Sequence, residues 1–79
     1  MLFVTTLDII PGKVKEALRL MKGYEKGDVE VKSFLGMFGK PDAVIIFEAK
    51  DEIEATRFVV QFGDAFVMKT SLAFPVENI

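Results

Sequence analysis

The chain has 79 residues, 51% apolar and 28% charged, with a net charge of −2 from 10 basic and 12 acidic side chains. That length holds one domain, residues 1–79, and that composition excludes a disordered chain. Without a single cysteine or histidine there is no disulfide, no thiolate nucleophile, no Cys-based metal site and no imidazole base, so neither a metal nor a cofactor is expected.

Leu2 to Asp8 is rich in strand formers and reads as a first strand, closed by Ile9-Ile10-Pro11-Gly12. Val14, Ala17, Leu18 and Met21 then recur at i, i+3, i+4, i+7, which predicts a helix from about Pro11 to Glu25 with that stripe buried. Val29 to Phe38 and Ala43 to Ala49 read as two further strands joined by Gly39-Lys40-Pro41-Asp42. Asp51 suits the N-cap of a second helix, with Glu52 and Glu54 near its positive end. Ala55, Phe58, Val59 and Phe62 form its apolar stripe and Gly63 its end. Phe66 to Val76 is the fourth strand, where Pro75 points to an edge or exit position. The order β-α-β-β-α-β, with no linker or repeat, is that of the ferredoxin-like α+β fold: a four-stranded antiparallel sheet with two helices on one face.

The central hairpin is apolar on both of its faces, which is unusual for a sheet with one side in water. Pairing Phe38 with Ala43 sets Gly36 opposite Ile45, Phe34 opposite Phe47 and Lys32 opposite Ala49, and this set is assigned to the helix-covered core. The other face then carries Val31, Ser33, Leu35, Met37, Val44, Ile46 and Glu48, with Ser33 opposite Glu48. Two short helices cover one face only. A second copy is the simplest cover for the other, so Val31, Leu35, Met37, Val44 and Ile46 are expected at a homodimer interface, with higher oligomers through the edge strands also open.

At this hairpin the chain resembles the GYD-domain family and an adjacent uncharacterised family of stand-alone small proteins. Lys32-Ser33-Phe34, then Gly39-x-x-Asp42, then Val44-x-Ile46-x-Glu48-Ala49-x-Asp51 carry the likeness, and Met1-Leu2-Phe3, Pro11-Gly12-Lys13 and Glu16-Ala17-Leu18 match the second family. Lys40-Pro41 stands where the first family has its tyrosine. The resemblance implies a dimeric α+β barrel, an architecture shared by small monooxygenases, muconolactone-isomerase-like enzymes and ligand-sensing domains of transcription regulators. It implies no particular activity.

Four polar residues are candidates for a site between the two sheets. Glu48 at the end of an apolar strand can accept a proton or anchor a ligand, although a strand-end carboxylate more often reaches solvent or pairs with a lysine. Ser33 can position a ligand or simply bond its cross-strand neighbour. Lys69 can face Glu48 across a cavity or guard a sheet edge, the commoner role. Thr5 and Thr6 place one hydroxyl on each face of the first strand; Thr6 is taken as the site candidate, although threonine there is more often simply a good strand former. Tyr24 and the methionines read as packing residues, Asp42 as a turn residue, and Asp51, Glu52 and Glu54 as a helix start with no metal role.

The first reading is a homodimeric small-molecule-binding or regulatory module for a small apolar ligand. A cofactor-free enzyme of monooxygenase or isomerase type, using Glu48, is the second, and the missing His and Cys lower its standing. An assembly protein with a solidly filled barrel is the third. No basic stripe marks a nucleic-acid partner, no apolar run reaches the roughly 20 residues of a bilayer span, and the N-terminus lacks a secretory pattern. The expected location is the cytoplasm.

Overall fold

The computed structural model covers Met1 to Ile79 and contains four strands and two helices: β1 (Leu2–Ile9), α1 (Val14–Gly23), β2 (Glu30–Gly36), β3 (Ala43–Glu48), α2 (Glu52–Val59) and β4 (Phe66–Ala73). The strands form one open antiparallel sheet in the order β2-β3-β1-β4, with the helices on one side. This is the ferredoxin-like arrangement.

Phe3, Thr5 and Leu7 of β1 and Ala43, Ile45 and Phe47 of β3 point toward the helices and are buried, while their neighbours alternate to the opposite face. Aromatic rings fill the layer between sheet and helices. Phe3 stacks on Phe47 at 5.5 Å, Phe47 meets Phe58 at 4.8 Å, and the fully buried Phe62 has Tyr24, Phe34, Phe58 and Phe66 within 6.1 Å. Thr5 is the one buried polar residue. Its hydroxyl lies 2.8 Å from that of Thr70, so no donor is stranded in the core.

α1 is shorter than its periodicity predicts. Pro11 and Gly12 form a turn in which Gly12 adopts φ +87°, and the helix begins at Val14. Its buried stripe is also rotated. Ala17, Leu20, Met21 and Tyr24 face the core, while Val14 and Leu18 are half exposed. Both stripes have helical spacing. The winning one ends in Tyr24, whose ring packs against Phe34, Phe58 and Phe62, and aromatic contact area outweighs what Val14 and Leu18 would bury.

α2 starts as its sequence dictates: the Asp51 carboxylate accepts from the Glu54 N–H at 2.9 Å. After Val59 the helix does not simply stop. It tightens into a 3₁₀ turn, Val60–Asp64, that contains Gly63 and carries Phe62 into the core. Gln61 leaves this turn to clamp the loop after α1, taking the Glu25 N–H on Oε1 and donating Nε2 to the Glu25 carbonyl, both at 2.8 Å. β4 ends at Ala73, earlier than expected, and Pro75 lies beyond it, ahead of a last 3₁₀ turn, Val76–Asn78.

The hairpin differs from expectation in register. Gly36, not Phe38, pairs with Ala43, and Phe34 pairs with Ile45. The connection is longer than a four-residue turn. Met37 N–H donates to the Asp42 carbonyl at 2.8 Å to close it, and Gly39 inside it takes φ +118°. A slip of two residues preserves facing, so Phe34 and Gly36 remain on the helix side, but Phe38 moves out of the ladder and becomes fully exposed.

A second irregularity does change facing. The ladder steps from Val31↔Phe47 directly to Ser33↔Ile46, leaving Lys32 as the extra residue of a bulge. Without the bulge, Lys32 would point into the core and Val31 into solvent. With it, Val31 packs against the core and Lys32 reaches outward to Glu30, 3.3 Å away. Keeping an unpaired ammonium out of an aromatic core is worth more than one ladder rung.

Candidate functional site

The side of the sheet away from the helices is covered by nothing in the chain. Register sorts its residues into rows across β2, β3, β1 and β4. Glu30, Glu48, Leu2 and Ala73 form one row; Ser33, Ile46, Val4 and Ser71 the next; Leu35, Val44, Thr6 and Lys69 the third. Val67 follows at one end, opposite Asp8. The two central strands supply a continuous apolar strip, Leu2, Val4, Val44 and Ile46, widened by Leu35, which is half exposed. Polar side chains stand at the margins.

The expected interface set is thus placed on this face for Leu35, Val44 and Ile46. Met37 follows β2 at its rim and is 46% exposed. Val31 must be removed from the set, because the bulge turns it inward. Leu2 and Val4 must be added. Their signal was present in the sequence, since Leu2-Phe3-Val4 is apolar in both alternating phases, as the hairpin is.

Of the four candidate polar residues, all share the face but only two are neighbours. Thr6 and Lys69 pair directly across β1 and β4. Ser33 sits on the β2 edge opposite Ile46, not opposite Glu48. Glu48 stands opposite Glu30, is 41% exposed, and has Oε2 3.3 Å from the Met1 amino nitrogen. Glu48 aligns with Leu2, and Lys69 with Thr6, four residues along β1, a separation of roughly 13 Å. Within one copy the two charges therefore do not pair. Lys69 is exposed on β4, the edge strand farthest from Ser33.

Two concave sites lie elsewhere. A groove of about 300 Å³ between α2 and β4 is lined by Phe3, Ala55, Val59 and Leu72 with Thr56, Thr70 and Glu52. A second, of about 360 Å³, runs between the loop after α1 and α2, with Glu25, Lys26, Asp28, Glu54, Arg57 and Gln61 around Val29 and Phe58. Neither includes Glu48. No group of three or more Asp and Glu gathers as a metal cage, and no helix is long and apolar enough to cross a membrane.

Asp42 does fix the hairpin, and it does so from across the sheet. Its Oδ2 accepts from the Ile9 N–H at 2.7 Å and from Lys40 Nζ at 3.0 Å, while its own N–H donates to Asp8 Oδ1 at 3.3 Å. The Ile9 amide first, and then Lys40, hold the Asp42 carboxyl below its ordinary range. The folded state thus binds this proton less readily than the unfolded chain, so the stability it confers is complete above the ordinary value of 3.8 and fades as pH falls through the lower folded value. Urea unfolding should therefore show a midpoint that declines on acidification below about pH 4. Asp42→Asn should make that decline shallower, the remainder coming from groups such as Glu16, which Arg19 lowers in the same sense.

No family model, curated protein or solved structure matches this chain.

Proposed function

We propose that the protein is a homodimeric small-molecule-binding or regulatory module in which two uncovered sheet faces pack against each other and enclose an apolar ligand. The observation that carries this reading is the strip Leu2, Val4, Val44, Ile46 and Leu35, set on a rigid sheet with no chain segment over it. A sheet of four strands and seven rungs presents roughly 19 × 23 Å, about 440 Å² in projection. The apolar strip is a part of that face, and contiguous apolar patches on small proteins are commonly functional. The projected area is a little over half of the roughly 800 Å² per partner typical of a stable complex, and side-chain relief together with Met37 and Phe38 at the rim enlarges it.

The polar margin supports a ligand site over a packed-solid barrel. Apolar walls with a few polar groups are what small-ligand sites require, and Thr6, Lys69 and Ser33 supply them. In a face-to-face pair, Lys69 of one copy can approach Glu48 of the other. The enzyme alternative depends on Glu48 in a dry setting, whereas in the single chain this carboxylate is 41% exposed; only closure by a second copy would desolvate it.

The test is a thermal-shift panel of aliphatic and aromatic carboxylic acids and their neutral amides, on protein whose mass has been measured by light scattering. A mass of at least twice 8.8 kDa is expected. A binding compound at a hundred times its Kd should add about 2.7 kcal/mol of stability. Glu48→Gln should retain affinity for neutral compounds. Monomeric wild-type protein would overturn the proposal.

A further inference from the structure

The two edges of the sheet are not alike. β2 is bulged at Lys32 and carries Glu30 and Lys32, which is how natural sheets blunt an edge. β4 is the other edge. It pairs with β1 over eight consecutive residues without a bulge, and its free side carries one charge and no proline before Pro75. Val67, Leu72 and Phe74 on or just beyond it are each at least 60% exposed.

The sequence of this edge is symmetric in kind about Thr70. Reading outward, Lys69 is matched by Ser71, Met68 by Leu72, Val67 by Ala73 and Phe66 by Phe74. An antiparallel pair about a two-fold axis normal to the sheet requires partners of equal parity, since only then do their side chains share a face. Three registers are close to centred. The one that sets Lys69 against itself opposes like charges. The one centred on Ser71 sets Lys69 against Ala73 and brings Pro75, which has no N–H, into the ladder. The one centred on Thr70 has neither fault: it sets Lys69 against Ser71 and opposes apolar to apolar at the outer rungs, Met68 with Leu72, Val67 with Ala73 and Phe66 with Phe74.

We propose that β4 is a docking edge for β4 of a second copy, antiparallel and centred on Thr70, joining two sheets into one of eight strands. This contact uses the sheet edge and does not rest on the face-to-face pairing above. Its axis is normal to the sheet, whereas a face-to-face axis lies parallel to it, so both can coexist in a closed tetramer.

Thr70→Cys in the full-length chain tests it, because the protein has no cysteine of its own. At the two-fold position the Cβ atoms of a cross-strand pair come within about 5 Å, close to disulfide range. Leu72→Cys is the control, its two copies being separated by four residues, about 13 Å. Mild oxidation should convert the Thr70→Cys chain to a covalent dimer on non-reducing gels and leave the Leu72→Cys chain single. A Thr70→Cys chain that stays single, or a Leu72→Cys chain that links as fast, would overturn the proposal.

A second measurement guards against damage from losing the Thr5–Thr70 hydroxyl contact. Ser71→Glu puts a carboxylate opposite Lys69 twice by symmetry and should tighten self-association at low salt by about three- to tenfold, and Ser71→Lys should weaken it comparably. These changes should be measured by sedimentation in the Ile46→Lys background, where face-to-face contact is removed. Equal association of the two variants would count against the Thr70 register. Thr70 lies on the helix side of the sheet, so loss of its cross-link leaves the face-to-face reading intact, and Ile46→Lys leaves the cross-link intact.

Discussion

Ile46→Lys should abolish the proposed face-to-face pair and leave a folded chain. Ile46 lies at the centre of the uncovered face, with Val4 and Ser33 beside it, and is only half-buried in the single copy. A lysine there can lift its ammonium into water while its stem rests on Val4 and Val44. Within a dimer the same ammonium meets the partner's apolar strip. Burying a charge with no partner costs several kcal/mol, so association should weaken by at least about a thousandfold, since each 1.4 kcal/mol is tenfold. Light scattering should show this face's contribution to the mass gone, and circular dichroism an unchanged strand and helix signal. Leu35→Lys, near the β2 edge, should act in the same direction with a smaller effect. Retention of the wild-type mass in both variants would remove the basis for a chamber between sheets.

Phe62→Ala should come close to unfolding the chain. Phe62 is fully buried and touches four aromatic rings drawn from the α1 exit, β2, α2 and β4. Removing such a ring costs about 3–5 kcal/mol in transfer and cavity terms. A 79-residue domain has roughly 4–12 kcal/mol in total, and each kcal/mol moves its melting midpoint by about 4–8 °C. Calorimetry should therefore show a fall of more than about 12 °C or no cooperative transition. Phe38→Ala, made in the Ile46→Lys background where no face-to-face contact remains, should stay within about 0.5 kcal/mol of its parent, because Phe38 is wholly exposed. The sequence alone treats both phenylalanines as core, and these two variants separate them.

That pair also shows where sequence reasoning loses sight of the structure. Strand and helix order, the Asp51 cap and the inward Ala43-Ile45-Phe47 phase follow from periodicities a few residues long, and the structure has them all. Phe38 failed because hairpin register depends on the connection, and Met37–Asp42 closes with its own hydrogen bond instead of adopting a four-residue turn. Val31 failed because a one-residue bulge inverts everything before it, and its cause is a pairing with Phe47 that is distant in sequence. α1 offers two stripes of equal spacing, and only Tyr24's partners on β2 and α2 decide between them.

The candidate site was legible as a face and not as a constellation. Alternation put Ser33 and Glu48 on one side of the sheet, with one of Thr5 and Thr6 beside them, and left the phase of Lys69 open. It could not give their rows, because rows are set by the β1 pairings with β3 and β4. Once these are known, Glu48 and Lys69 separate to opposite ends, and only Thr6 and Lys69 remain adjacent.

If β4 edges pair as proposed, the kink at Lys32 limits growth. A ribbon that can recruit at both borders propagates without end, as fibrils do. Here one border is crooked and charged, so two molecules zipped along their straight borders would expose only crooked ones outward. Such a chain would stop at a fixed stoichiometry, and straightening that kink, by deleting Lys32 for instance, should turn a finite particle into one prone to polymerise.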